Sequence, residues 1–167
     1  MVVAGVERGL FGDPTERRWQ KGEVLFVDGG IVIDGYWADY CRMYTAGAPT
    51  PSQRDDYARA ASALDAALAL VAVPTASSLG RAIGSALDLP PGRVGFGRFG
   101  HGIGLYMPEP PSLHPDDPTP LEDGMVLCVE PAYLGATGNY VVEEEHVVSQ
   151  GRLSRISPEA PRRLIEI

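Results

Sequence analysis

The sequence predicts an α+β fold organised around an antiparallel sheet. Three observations predict it: a strand, a tight turn and a strand in "FVDGGIVIDGYWADYCR" at 26–42, two mid-chain stretches with helical spacing, and β-forming runs "GMVLCVEPAYL" and "NYVVEEEHVV" near the end. A hairpin first, helices next and strands last, rather than strand and helix in alternation, favours antiparallel strands with flanking helices.

The elements follow in order. Residues 24–28, 31–33 and 36–44 read as strands joined at Asp34-Gly35, a dipeptide favoured in two-residue hairpin loops. With that turn Ile33 opposes Tyr36, Gly30 opposes Asp39 and Asp28 opposes Cys41. Thr50 can cap a helix whose first turn admits Pro51, and Tyr57, Ala60, Leu64, Leu68 and Val71 recur at its apolar spacing before an end by Pro74. A second helix is expected from Ser77 or Ser78 through Leu79, Ile83 and Leu87, stopping before Pro90-Pro91. "PEPPSLHPDDPTP" holds too many prolines for regular structure. No linker, repeat or low-complexity tract divides the chain, so residues 1–167 are expected to form one domain.

Composition narrows the partners. The net charge is −8 and basic residues never run beyond a pair such as Arg17-Arg18 or Arg162-Arg163, which argues against nucleic acid. No window approaches the roughly 18 apolar residues of a membrane span, and the N-terminus lacks a cationic leader region, so no membrane partner and a cytoplasmic location are expected. Cys41 and Cys128 are too few for a disulfide framework and match no Cys-x-x-Cys site, so both are expected to be reduced.

Several acids sit where a sheet prefers apolar residues. By the hairpin register Asp28 and Asp39 project from one face as diagonal neighbours, roughly 7 Å or less apart at Cβ, and Gly30 opposite Asp39 leaves a hole between them. Two carboxylates about 5 Å apart repel by about 3 kcal/mol at an effective dielectric near 20, so the pair needs protonation, water or a cation. Glu130, before Pro131, would alone read as a water-facing acid of an edge strand. Alternation puts Glu143 and Glu145 on one face and Glu144 with His146 on the other, although an exposed acidic stretch is the ordinary reading. His101 has a glycine on each side, which permits close backbone approach, while a lone histidine also reads as a packed core residue. "GFGRFG" at 95–100 fits a dinucleotide pattern but lacks the feeding strand and following helix that pattern requires. His114 and His146 are expected at the surface. Together Asp28, Asp39, His101, Glu130 and Glu143 offer carboxylates and one imidazole, a donor set for two divalent ions.

The segments "VDGGIVIDGYWADYCR", "GHGIGLYMPEPP", "LEDGMVLCVEP" and "YVVEEEHVVSQGRLS" resemble, in order, those of the M24-type metallopeptidases: methionine aminopeptidases, aminopeptidase P, prolidase and creatinase-like hydrolases. "EPP" and "EEE" look closest to the Xaa-Pro peptidase and creatinase-like branch. The resemblance implies the pita-bread fold, a curved antiparallel sheet with flanking helices. It implies that Asp28 binds one metal, that Asp39 and Glu143 bridge two, and that His101 and Glu130 complete the second. Glu143 is preferred to Glu145 because six residues separate it from Ser149, where relatives carry a threonine, although sheet parity permits either. It further implies hydrolysis of a peptide or small amide by water activated between the ions, with His101 and Glu130 as catalytic residues and Glu130 shuttling the proton. Manganese, cobalt, iron or zinc could serve, and a homodimer is a possible assembly.

The chain also departs from that pattern. Relatives carry a histidine seven positions after the ligand histidine, where this chain has Pro108, and another upstream, where it has Phe11. The family domain begins well before Met1, so the chain reads as N-terminally short: either a fragment, or a natural short form whose apolar helix and sheet surface a partner must cover. A catalytically inactive module that binds a metal, a peptide or a partner protein is therefore the alternative. Cys41 and Cys128, each two residues from an expected ligand, are candidates for thiols bordering the metals, although small buried residues are the ordinary reading.

Overall fold

A computed structural model describes residues 2–4, 16–90 and 94–167; Phe11 lies outside them. The elements in chain order are β1 (Val2–Ala4), β2 (Val24–Ile33), β3 (Tyr36–Thr45), α1 (Pro51–Leu68), α2 (Ala76–Ala86), β4 (Gly100–Gly102), β5 (Glu109–Ser112), β6 (Val126–Val129), β7 (Ala132–Gly135), β8 (Gly138–Val141), β9 (Glu144–Ser149), β10 (Arg152–Arg155) and β11 (Ile165–Glu166). One sheet runs β1-β2-β3-β11, a second β10-β9-β6-β4-β5, and β7 and β8 form a separate ribbon. Every pairing is antiparallel except β11, which lies parallel to β3.

The hairpin register is the expected one: Ile33 pairs with Tyr36, Gly30 with Asp39 and Asp28 with Cys41. Asp34 and Gly35 both take positive φ, 52° and 86°, the conformation an Asp-Gly hairpin loop adopts. The strands run unbroken through Gly29 and Gly30, longer than the sequence suggests. The hairpin tip is apolar yet open: Ile31, Val32, Ile33 and Tyr36 are exposed, beside exposed Leu105 and Tyr106 on the loop whose Gly104 carbonyl accepts from the Trp37 N–H at 2.8 Å.

Thr50 caps α1 in a reciprocal box, its hydroxyl accepting from the Gln53 N–H at 3.2 Å while Gln53 Oε1 accepts from the Thr50 N–H at 2.8 Å. Tyr57, Ala60 and Leu64 face the core as their spacing predicts, whereas Val71 lies beyond the helix end and is exposed. α2 begins earlier than expected, because Thr75 rather than Ser77 or Ser78 is the cap and accepts from the Ser78 N–H. Side chains from both helices and both larger sheets meet in one apolar cluster that includes Phe26, Met43, Leu64, Ile83, Leu127 and Val148. Each such fully buried large apolar side chain contributes about 1.5–3 kcal/mol. Among the described residues no helix is long and apolar enough to cross a membrane.

Two expectations change. The proline-rich stretch contains a strand: β5 is at the sheet edge, where a missing N–H leaves no ladder bond unmade. His146 is buried, not at the surface; it shares a face with Glu144, whose Oε2 lies 3.4 Å from its Nε2. His114 is partly buried, and its Nδ1 accepts from the Asp116 N–H.

Candidate metal centre

Three strands and two connections bring the predicted acids and the imidazole together. β2 and β3 supply Asp28 and Asp39 on one face of the hairpin, β4 supplies His101, the break between β6 and β7 supplies Glu130, and the residue before β9 supplies Glu143. One carboxylate oxygen from each of Asp28, Asp39 and Glu143 lies within 4.8 Å of the others, as do donor atoms of Asp39, His101 and Cys128. His101 Nε2 stands 3.6 Å from Asp39 Oδ2 and 3.6 Å from Glu130 Oε1. Its Nδ1 is 2.9 Å from the Gly102 carbonyl. A proton on Nδ1 satisfies that contact and leaves the Nε2 lone pair toward the acids.

The glycines beside His101 are required by crowding. A Cβ on Gly100 would fall 2.2 Å from the Cys128 carbonyl oxygen, and one on Gly102 would fall 2.3 Å from the Pro110 carbonyl oxygen. β4 is squeezed between β6 and β5, and only bare backbone fits on either side of the imidazole. The hole expected beside Gly30 is filled: a Cβ there would lie 3.1 Å from Met107 Sδ and 2.7 Å from the Ala38 oxygen.

Both acids of the alternating pair turn inward. Glu143 accepts from the Cys128 thiol at 2.6 Å and is 2% exposed. Glu145 Oε1 accepts from the Asp39 backbone N–H at 2.8 Å. Glu144 points to the opposite side, accepting from Arg162 Nη1 and from the Ala160 N–H, both at 2.9 Å.

The electrostatics are those of crowded acids that outnumber the nearby cations His101 and Arg98. Burial, then the neighbouring Asp39, pushes Asp28 up to about 6. Burial raises Glu130 to about 7, with His101 and Arg98 opposing and Asp39 and Asp28 adding to it. Glu143 reaches about 8, through burial first and then Asp39 and Glu130. His101 is raised as well: burial favours the neutral ring, but the contacts to Asp39, the Gly102 carbonyl and Glu130 outweigh it. Carboxyl oxygens and one imidazole nitrogen, held close and short of positive charge, fit hard to borderline divalent cations.

Beside the cluster lies a cavity of about 450 Å³ lined by Asp28, Asp39, Phe96, Gly97, Arg98, His101, Met107, Pro108, Ser112 and Glu130. Sequence reasoning missed Arg98, Met107 and Ser112. A lone arginine three residues before the glycine-framed histidine was the available signal for the first. Pro108, singled out as a departure, lines this cavity and offers it no N–H.

The fold is the pita-bread fold seen in prolidase and dipeptidase domains. The architecture matches a crystal structure of a dipeptidase from Pyrococcus horikoshii with a TM-score of 0.86 at 27% identity, covering 100% of this chain and 48% of that one. The model of metallopeptidase family M24 matches residues 1–150, and the chain belongs to that family. It is 31% identical over 166 residues to the putative dipeptidase YkvY of Bacillus subtilis, covering 92% of this chain and 44% of the relative. It is 26% identical to an Xaa-Pro dipeptidase of Pyrococcus furiosus, covering 93% and 46%. The chain thus spans about half the length of the curated relatives it matches.

Proposed function

We propose that this chain carries the chemistry of a divalent-metal-dependent hydrolase acting on peptide or small amide bonds, of the Xaa-Pro dipeptidase type. The convergence of Asp28, Asp39, His101, Glu130 and Glu143 beside an open cavity carries this reading. Asp28, Asp39, His101, Glu130 and Glu143 would hold two divalent ions, whose chemistry there would be to polarise a scissile carbonyl and acidify water.

The chain's own residues then have distinct tasks. Glu130 faces the cavity between His101 and Arg98, where its carboxylate can take a proton from water and return it to the leaving nitrogen. Cys128 and the Asp39 N–H hold the Glu143 and Glu145 carboxylates in place. Phe96 and Met107 give the cavity apolar walls suited to a ring such as that of proline.

A second reading, a catalytically inactive module binding metal, peptide or a partner protein, is favoured by Pro108, which puts a donorless side chain in the cavity. The test is hydrolysis of Xaa-Pro dipeptides by the purified chain supplied in turn with manganese, cobalt, iron and zinc. Turnover that chelation abolishes supports the hydrolase. Metal binding by isothermal titration, without turnover under any ion, supports the inactive module.

A further inference from the structure

Glu143 is not the only group that the buried thiol of Cys128 can serve. Cys128 on β6 pairs directly with His101 on β4, so thiol and imidazole project from one face of the sheet. The Cys128 sulfur, an Asp39 oxygen and a His101 nitrogen lie within 4.8 Å of one another, and all three residues are buried. Asp28, Asp39 and Glu143 form a second such group, of oxygens alone, and Asp39 belongs to both. Asp28, Asp39, His101, Glu130 and Glu143 bring no sulfur, so the group with Cys128 is a different ligand field within the same centre.

Spacing and softness say which ion each group takes. Zinc holds sulfur at about 2.3 Å and nitrogen or oxygen at about 2.0–2.2 Å, so tetrahedral neighbours around it stand about 3.3–3.7 Å apart. His101 Nε2 is 3.6 Å from Asp39 Oδ2 and 3.6 Å from Glu130 Oε1, so both edges already have that length. The sulfur has to close by about 1.5 Å at most. Thiolate favours zinc, whereas an all-oxygen group suits manganese or magnesium. As the sulfur–zinc bond forms, the thiol proton leaves to solvent; Glu143 then keeps the Cys41 thiol, which also lies against it. With manganese the sulfur stays protonated and donates to Glu143. Asp39 and the thiolate neutralise the zinc. Asp28, Glu130, Glu143 and the inward Glu145 face the second ion and Arg98, and one proton kept among these four acids closes the balance.

We propose that the centre has two unlike metal positions: Cys128 is a sulfur ligand that makes, with Asp39 and His101, a zinc position, while Asp28, Asp39 and Glu143 make an oxygen-only position for manganese. This rests on the metal-centre reading above for the presence of the ions. The test is X-ray absorption at the zinc edge of the purified chain loaded with one equivalent of zinc and then with manganese, alongside zinc and manganese affinities measured by competition with a chromophoric chelator. One sulfur at about 2.3 Å from zinc is expected. Cys41→Ser is expected to keep that sulfur and Cys128→Ser to lose it, with zinc binding weakened about 100-fold and manganese binding by far less. Zinc ringed by nitrogen and oxygen alone in the unmodified chain overturns the proposal, as does a sulfur that survives Cys128→Ser. Equal losses of zinc and manganese affinity in Cys128→Ser overturn it too, since a thiol that only props Glu143 would give them. Where Cys128→Ser does not fold, Cys41→Ser decides, because the chain has 2 cysteines: a sulfur retained there belongs to Cys128, and a sulfur lost there refutes the assignment. Hydrolysis of alanyl-proline is read separately: a zinc–sulfur bond without turnover refutes the hydrolase and leaves the zinc position standing, whereas turnover under zinc with no bound sulfur does the reverse.

Discussion

The backbone N–H of Asp39 donates to Oε1 of Glu145 at 2.8 Å, joining residues 106 apart in the chain and tying the hairpin sheet to the sheet that carries His101. Removing the acceptor in Glu145→Ala leaves a buried N–H unpaired, at a cost of about 1–3 kcal/mol. Glu145→Gln keeps an oxygen in place. Chemical denaturation should show Glu145→Ala destabilised by that amount and Glu145→Gln close to the parent; equal losses in the two variants would contradict this role.

Cys128 holds the other inward acid. Its thiol donates to Glu143 Oε1, and Cys128→Ala removes that donor from a carboxyl group which burial and like charges already oppose. Cys128→Ser supplies a hydroxyl in its place. Manganese affinity measured by titration calorimetry is expected to fall severalfold in Cys128→Ala and much less in Cys128→Ser.

Glu144 has a structural task. It is fully buried, accepts from Arg162 and Ala160, and lies beside His146, so it pins the segment leading into β11 against β9. Its carboxyl is held down at about 2: burial opposes the charge, but the contacts to His146, the Ala160 N–H and Arg162 prevail. Breaking one partner of a buried pair costs about 3–5 kcal/mol. Glu144→Ala is expected to lose that much stability by urea denaturation, while Glu159→Ala, on the exposed side of the Arg155 ion pair, should lose less than about 1 kcal/mol.

The metal-free chain should become less stable as pH rises. Asp28, Glu130 and Glu143 keep their protons to about pH 6, 7 and 8 when folded, against roughly 4 in the unfolded chain. Folding then takes up protons across that window, so stability falls from pH 5 to pH 8 and levels off above it. His101, raised in the fold, adds stability that is likewise lost with rising pH. Glu144 is ionised throughout this range and does not alter the sign; its contribution is lost only as pH falls toward 2. Melting of the chelator-treated chain is expected to occur at a lower temperature at pH 8 than at pH 5, with manganese giving the larger gain at pH 8. A melting temperature that rises with pH in the absence of metal would contradict the crowded-acid description.

Much of this was legible in the sequence because short-range rules govern it. Asp34-Gly35 sets the hairpin register and with it the shared face of Asp28 and Asp39. Alternation sorts Glu143 and Glu145 from Glu144 and His146, as found. What escaped depends on distant partners. His146 is buried because Glu144 shares its side of the strand, β5 forms because its prolines fall on an edge, and Met107 fills the space at Gly30 from a loop no periodicity describes. Arg98 was hidden in a glycine-rich segment that shows neither helical nor strand periodicity.

The most direct measurement is anomalous X-ray scattering from crystals of the chain soaked in manganese. Peaks enclosed by Asp28, Asp39, His101, Glu130 and Glu143 are the predicted result. Saturating manganese that scatters only elsewhere, with these side chains directed apart, would contradict the account.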